Sequence, residues 1–198
     1  MIAFNNIEET EPYLLFKEHY SEAKKKGQKN IEAISIASYQ RDSQEVDSRF
    51  VNLKYVEKNK WFFYTNYNSP KAKQFAQQNQ ISALIFWNTI NIQIRIKAKI
   101  KKQTHSLNQK YFENRNPSKN ALAISSAQSQ EIGSFQDVTK NYENTLQYED
   151  LKKCPEYWGG FYFIPYFFEF WEGNENRLNK RLAFNISETG WEKSIKQP

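Results

Sequence analysis

The residues best suited to chemistry lie together between Trp158 and Arg181, in the run WGGFYFIPYFFEFWEGNENRLNKR. An aromatic segment there ends at a turn and delivers two guanidinium groups, Arg177 and Arg181, four residues apart. Flat rings offer stacking faces, and an Arg fork binds phosphate or carboxylate through paired N–H donors. The combination suits a flat, anionic ligand. Further basic and amide groups recur at strand ends and helix starts: Arg49, Lys54, Lys71, Gln93, Arg115, Gln128 and Ser129. Each alone reads as a solvated surface group. Lys71 stands out because it follows Ser69-Pro70, the signature of a helix start, where backbone N–H groups favour an anion.

Other chemistries are not offered. There is no GxGxxG and no GxxxxGK[ST], so neither the dinucleotide fingerprint nor the phosphate loop of nucleotidases is present. Two histidines, His19 and His105, and the single Cys154 do not make a zinc site. His19 reads as a helix residue and Cys154 as inert packing. No Ser/His/Asp arrangement is suggested. An enzyme built on this chain leaves the bond chemistry to an organic cofactor, and the protein supplies grip and orientation.

The elements that must position these groups follow from periodicity. Residues 1–9 read as frayed. Thr10 and Pro12 start a helix whose apolar side carries Leu14, Leu15, Phe16, His19, Tyr20 and Ala23, and Gly27 ends it. Residues 33–40 alternate as a strand, 41–47 form a polar turn, and 48–56 form a second strand. Residues 61–65 form a third strand, and a helix follows Ser69-Pro70. Residues 81–87 are an apolar strand. The cleanest pattern is Ile90, Ile92, Ile94, Ile96, Ala98 and Ile100 alternating with polar residues, a long antiparallel strand with one buried face. Helices are predicted over 105–114, 119–129 and 136–150. The aromatic strand over 161–171 comes next, then strands over 182–186 and 191–195. Connections this short favour antiparallel pairing and a barrel. The aromatic strand is too apolar to stand as an exposed edge: its rings either meet a second subunit or fill the barrel interior, as some must.

The chain has 198 residues, most simply one domain. Aromatics at 16% offset a modest hydrophobic content of 39%, since each buried ring removes a large apolar area. Lys+Arg 28 against Asp+Glu 22 gives a net charge of +6, which suits an anionic partner. The basic residues are dispersed, which argues against a nucleic-acid stripe. One cysteine excludes an intramolecular disulfide. The expectation is a cytoplasmic protein without signal peptide or membrane span.

The order of these elements resembles the pyridoxamine 5'-phosphate oxidase family of FMN-dependent flavoenzymes. The resemblance runs from Pro12 to Pro198. It rests on SRFVNLK (48–54), FFYTNYNSPKAKQ (62–74), the strand around Gln93, KYFENR (110–115), SAQS (126–129) and WGGF…P…EFW…RLNKR (158–181). It implies a mainly β, α+β fold with flanking helices: an antiparallel FMN-binding split β-barrel, one domain over 1–198 with a helical insert at about 105–150. It implies a homodimer with FMN at the subunit interface. Arg49, Phe50, Val51, Asn52, Leu53 and Lys54 then line the FMN site, with Arg49 on the phosphate. Tyr64 and Thr65 touch flavin and ribityl chain, Lys71 the phosphate, and Gln93 the ring edge. Gln128 and Ser129 complete the phosphate and ribityl contacts, while Trp171 and Arg181 bound the ring from the other subunit. Lys54, Tyr111, Arg115 and Lys119 hold a substrate phosphate, and Arg177 and Asn179 sit at the reacting carbon as catalytic residues.

The resemblance implies an oxidase acting on pyridoxine or pyridoxamine 5'-phosphate. Two alternatives remain open: an FMN-dependent oxidoreductase of the same fold with another substrate, or a flavin- or pyridoxal-phosphate-binding protein without turnover. Three departures fall at the ligands. Pro70 stands where the family has an arginine, Lys119 where it has a serine, and Asn179 where it has a histidine.

Overall fold

The computed structural model describes all 198 residues. Ten strands and five helices follow in the order β1 (Ala3–Asn5), α1 (Glu11–Lys25), β2 (Ala33–Gln40), β3 (Glu45–Asn52), β4 (Tyr55–Glu57), β5 (Lys60–Asn66), α2 (Pro70–Gln77), β6 (Gln80–Trp87), β7 (Ile92–Lys102), α3 (His105–Glu113), α4 (Pro117–Ser125), α5 (Phe135–Tyr148), β8 (Trp158–Glu172), β9 (Lys180–Ser187) and β10 (Gly190–Lys196). The expected mainly β architecture with flanking helices is the one observed. No helix is long and apolar enough to cross a membrane.

β8 organises the sheet. The strand path runs β1-β4-β5-β8-β7-β6-β2-β3, with β9 also on β8 and β10 on β9. The first part of β8, Trp158–Phe163, pairs with β5. Its last part, Phe167–Glu172, pairs with β9. β7 runs along the other edge from Phe161 to Glu172. Between the two partners, at residues 164–166, β8 lacks a second neighbour and the register with β7 shifts. Pro165 lies there, where its missing N–H leaves no ladder position unfilled. The sheet therefore divides at Pro165, which is how an antiparallel barrel comes to be split.

One face of this sheet is core. Ile92, Ile94, Ile96, Ala98 and Ile100 are buried, while Arg95, Lys97 and Lys99 point outward. α1 covers the core with Tyr13, Phe16, Tyr20 and Ala23, spaced at the helical period. The Phe16 ring lies 4.4 Å from Trp61 and 5.5 Å from Trp87.

Several expectations need correction. Residues 1–9 are not wholly frayed: β1 pairs in parallel with β4, Ile2 is buried, and the Ile2 amide donates to the Tyr20 hydroxyl. In α1 the buried side includes Tyr13, whereas Leu14 is exposed. The turn before β3 ends at Gln44, because Glu45–Asp47 already pair with β2. The strand expected over 48–56 breaks after Asn52. The Leu53 amide donates to the Glu32 carbonyl and the Lys54 amide to the Phe62 carbonyl, so the chain changes partners at that step. The long polar-apolar strand starts at Ile92, since Ile90 and Asn91 form the turn. The helix expected over 119–129 is α4, Pro117–Ser125, and leaves Gln128 and Ser129 in a loop. In the aromatic strand four of the eight rings over 161–171 are buried, Phe163 and Phe168 fully, and four are half-buried.

Candidate functional site

Two cationic centres and one aromatic wall emerge, all near the first part of β8. The first centre lies where β3, β5 and α2 meet. Lys71, at the start of α2, is 8% exposed. Its Nζ donates to Gln128 Oε1 at 3.0 Å and to Ser69 Oγ at 3.2 Å, and Thr65 Oγ1 donates to the same Gln128 oxygen at 2.9 Å. No carboxylate pairs with Lys71. Burial, and then the neighbouring charge of Arg49, pull its ammonium down to about 8. Arg49 itself is held by Ser38 and Gln74 and leans toward Asp47 at 3.4 Å. The Ser69 side chain does not cap α2 but donates to the Asn66 carbonyl; Pro70 has no N–H and the Ala72 amide donates to the Ser69 carbonyl, so the Lys71 amide is the one left open at this helix start. Two cations near a helix start, with one half-exposed carboxylate against Arg49 alone, form a seat for a dianion.

The second centre is Lys54, Arg115 and Lys119. Burial, followed by the charge of Lys119, depresses Lys54, and Arg115 adds to the effect. Burial also depresses Arg115, whose Nη1 donates to the Lys119 carbonyl at 2.6 Å and to Asn120 Oδ1 at 3.0 Å. Glu32 is the one carboxylate acting on Lys54, and it is shared with the N-terminal ammonium.

The wall is Tyr64, Tyr111 and Trp158. Tyr64 and Tyr111 stack at 3.8 Å with planes 10° apart, and Trp158 lies nearly parallel to Tyr64 at 5.1 Å. The Arg115 guanidinium sits 5.0 Å from the Trp158 ring centre. A cavity of about 210 Å³ opens beside it, lined by Tyr64, Thr65, Arg115, Lys119, Gln128 and Trp158 among others. It therefore touches residues of both cationic centres. Behind the wall, Gly159 and Gly160 let α3 approach: the Gly160 amide donates to Asn108 Oδ1 at 2.9 Å, and a side chain at Gly159 would collide with Asn108 and Tyr67.

A second set of expected residues lies at the other end of β8. Gln93, Trp171 and Arg181 are direct cross-strand neighbours on β7, β8 and β9. Arg177, at φ 60°, and Asn179 occupy the turn between β8 and β9. Asn179 Oδ1 accepts from the Asn174 amide at 3.0 Å, which leaves its NH2 group as a free donor. The structure thus brings together Arg49, Lys71, Thr65 and Gln128, and separately Lys54, Tyr111, Arg115 and Lys119. It does not bring Gln93, Trp171, Arg177, Asn179 or Arg181 to them within one chain.

Other expected residues are placed differently. Val51 and Leu53 belong to the core, so their side chains cannot line a ligand, while Phe50 and Asn52 point outward. Ser129 is exposed in a left-handed turn at φ 68°. Sequence reasoning missed Ser38 and Gln74, which hold Arg49. Gln74 lies three residues after Lys71, one helical turn on the same face, and that spacing was the available signal.

The arrangement was compared with known proteins. Residues 158–198 match the family model described as the pyridoxine 5'-phosphate oxidase C-terminal dimerisation region. The pyridoxine/pyridoxamine 5'-phosphate oxidase of Colwellia psychrerythraea is 34% identical over 92% of this chain and 84% of its own length. That of Leptospira interrogans is 31% identical over 93% and 87%. Among solved structures, PhzG from Burkholderia lata 383, in complex with tetrahydrophenazine-1-carboxylic acid, superposes with a TM-score of 0.89 at 23% identity, covering 95% of this chain and 93% of that one. A pyridoxamine 5'-phosphate oxidase-related, FMN binding protein from Nostoc punctiforme gives a TM-score of 0.78 at 12% identity, covering 96% and 99%. The structural neighbours establish the fold and the curated relatives the lineage: the chain belongs to the pyridoxine/pyridoxamine 5'-phosphate oxidase family.

Proposed function

We propose that this protein is an FMN-dependent oxidase that converts pyridoxine or pyridoxamine 5'-phosphate to pyridoxal 5'-phosphate, with dioxygen as acceptor and hydrogen peroxide as product. The carrying observation is a pair of cationic centres with one cavity that reaches Arg115 and Lys119 of the second and Thr65 and Gln128, the neutral neighbours of Lys71, at the first. A flavin phosphate and a substrate phosphate need two such seats, and the chain has two, each poor in carboxylates. The residues fit the cofactor: Lys71 is a buried ammonium with no acidic partner, which a phosphate dianion would satisfy.

In this reading Arg49, Lys71 and the open Lys71 amide at the start of α2 hold the FMN phosphate, with Thr65 and Gln128 beside the ribityl chain. Lys54, Tyr111, Arg115 and Lys119 take the substrate phosphate. Gln93, Trp171 and Arg181 belong at the flavin ring, and Arg177 and Asn179 at the reacting carbon. All five come from a second copy, because one chain keeps them at the far end of β8. The match of residues 158–198 to a dimerisation region supports that assembly.

Bound FMN supplies the two-electron acceptor. The protein's own residues do the rest. The cations fix the phosphates, the aromatic wall excludes water, and Arg177 orients the carbon that loses hydrogen. The alcohol substrate gives up two hydrogens, which leave with dioxygen as hydrogen peroxide. The amine route also takes up water and releases ammonia. Asn179 can donate a hydrogen bond but does not titrate near neutral pH as histidine does.

A same-fold oxidoreductase with another substrate is the second reading, favoured by the engagement of Asn179 with its own turn and by Lys119. The test is spectroscopic. The purified protein should be yellow, and pyridoxine 5'-phosphate added without oxygen should bleach it. Air should restore the colour with one peroxide per turnover. A yellow protein that this substrate fails to bleach sinks the first reading and leaves the second.

A further inference from the structure

We propose that Glu169 is the positioning residue for Arg181, and that its carboxylate sets both the hold on the flavin ring and the ring's reduction potential. The inference rests on the placement of Arg181 at the flavin given above.

Glu169 is only 4% exposed, yet it lies on the outward side of β8, two residues before Trp171. A buried carboxylate is costly unless paired and fully hydrogen-bonded. Here both oxygens are used. Oε2 accepts from Arg95 Nη1, directly across on β7, at 3.2 Å. Oε1 accepts from Arg181 Nε at 3.2 Å and Nη2 at 3.0 Å, diagonally across on β9. Arg181 Nη1 donates to the Gln197 carbonyl at 2.9 Å. Three of the five guanidinium N–H donors are thus committed within the chain, and the fork cannot rotate. One N–H on each Nη remains for a ligand. Without Glu169 the side chain regains its rotamers, and binding has to order it again.

The charges make the second half of the argument. Arg95, Glu169 and Arg181 carry a net charge of +1 beside Trp171 and Gln93. Neutralising Glu169 leaves +2. A reduced flavin ring carries more negative charge than an oxidised one, so added positive charge favours reduction. A role in packing alone would leave the potential where it was.

The test uses the FMN-loaded dimer. Apo-protein is titrated with FMN by fluorescence quenching, the midpoint potential is measured by spectroelectrochemistry, and sedimentation reports assembly. Glu169→Gln keeps size and some hydrogen bonding, and should weaken FMN binding by about tenfold and move the potential in the positive direction. Glu169→Asp keeps the charge but falls short of one arginine. It should lose affinity while holding the potential, and it carries the test if Glu169→Gln does not fold. Wild-type affinity and potential in both variants overturn the proposal and leave FMN binding intact. So does loss of FMN traced by sedimentation to loss of the dimer. A wild-type protein that takes up no FMN overturns the functional reading first and this inference with it.

Discussion

Replacing Lys71 with methionine should make the empty protein more stable and the flavoprotein weaker. Lys71 is buried with no acidic partner, and its ammonium titrates at about 8 in place of 10.5. The folded state therefore disfavours the charged form. Above 10.5 the group is neutral in both states and nothing is lost. As pH falls from 10.5 to 8 the unfolded chain takes up the proton first, and stability drops. Below 8 the loss is complete. At about 1.4 kcal/mol per pH step, the interval amounts to about 3 kcal/mol. Methionine fills a similar volume without the charge, but it gives up the donors to Gln128 Oε1 and Ser69 Oγ. Two such bonds at about 1 kcal/mol each leave a net gain of about 1 kcal/mol at pH 7. Urea denaturation of apo-protein at pH 7 and pH 10 measures it. The advantage of the variant should shrink or reverse at the higher pH. FMN affinity should fall by one to two orders of magnitude, on the order of 1.5–3 kcal/mol for a charge-assisted phosphate contact. A variant less stable than wild type by the same amount at both pH values would show that Lys71 is not held against its own charge.

Other perturbations probe the remaining parts. Arg115→Ala should raise KM for a phosphorylated substrate roughly 10- to 100-fold and change kcat little, since the contact exists before and during reaction; a fall in kcat at unchanged KM contradicts the phosphate role. Gly159→Ala places a methyl group against Asn108 and Tyr67, and should cost about 1–3 kcal/mol by urea denaturation; an unchanged midpoint means α3 is free to move. Asn179→His introduces a group that titrates near 6.5, so the pH profile of kcat should gain a limb in that region. A flat profile places position 179 away from the reacting carbon.

Much of the fold could be read from pattern. The alternation of Ile92 to Ile100 identifies a strand with one wet face, and Gly27 ends α1 at φ 75° as its type suggests. What could not be read was pairing. Nothing local in 48–56 reveals that Leu53 and Lys54 leave one strand partner for another, because the switch depends on Glu32 and Phe62, residues outside that window. The cationic site residues were visible as residue types at element ends. Their supports were not: Ser38 and Gln74 reach Arg49 across 11 and 25 positions of chain. Val51 and Leu53 turn their side chains into the core, which a contiguous motif does not reveal. The aromatic strand shows the same limit. Its composition announces burial, but which rings the chain itself buries depends on β5, β7 and β9, which lie far off in sequence or on the other side of a turn.

The branching of β8 also governs how the chain can be made. β5 and β7 complete their ladders only with residues 158–172, some 100 and 70 positions downstream. On the ribosome both strands emerge with a bare edge and wait for that segment. A nascent chain ending before Trp158 holds most of the core residues and none of the strand that joins them. Committed folding is therefore a late event in synthesis, and non-local closure of this kind is slow. The waiting chain is the species a chaperone or protease meets.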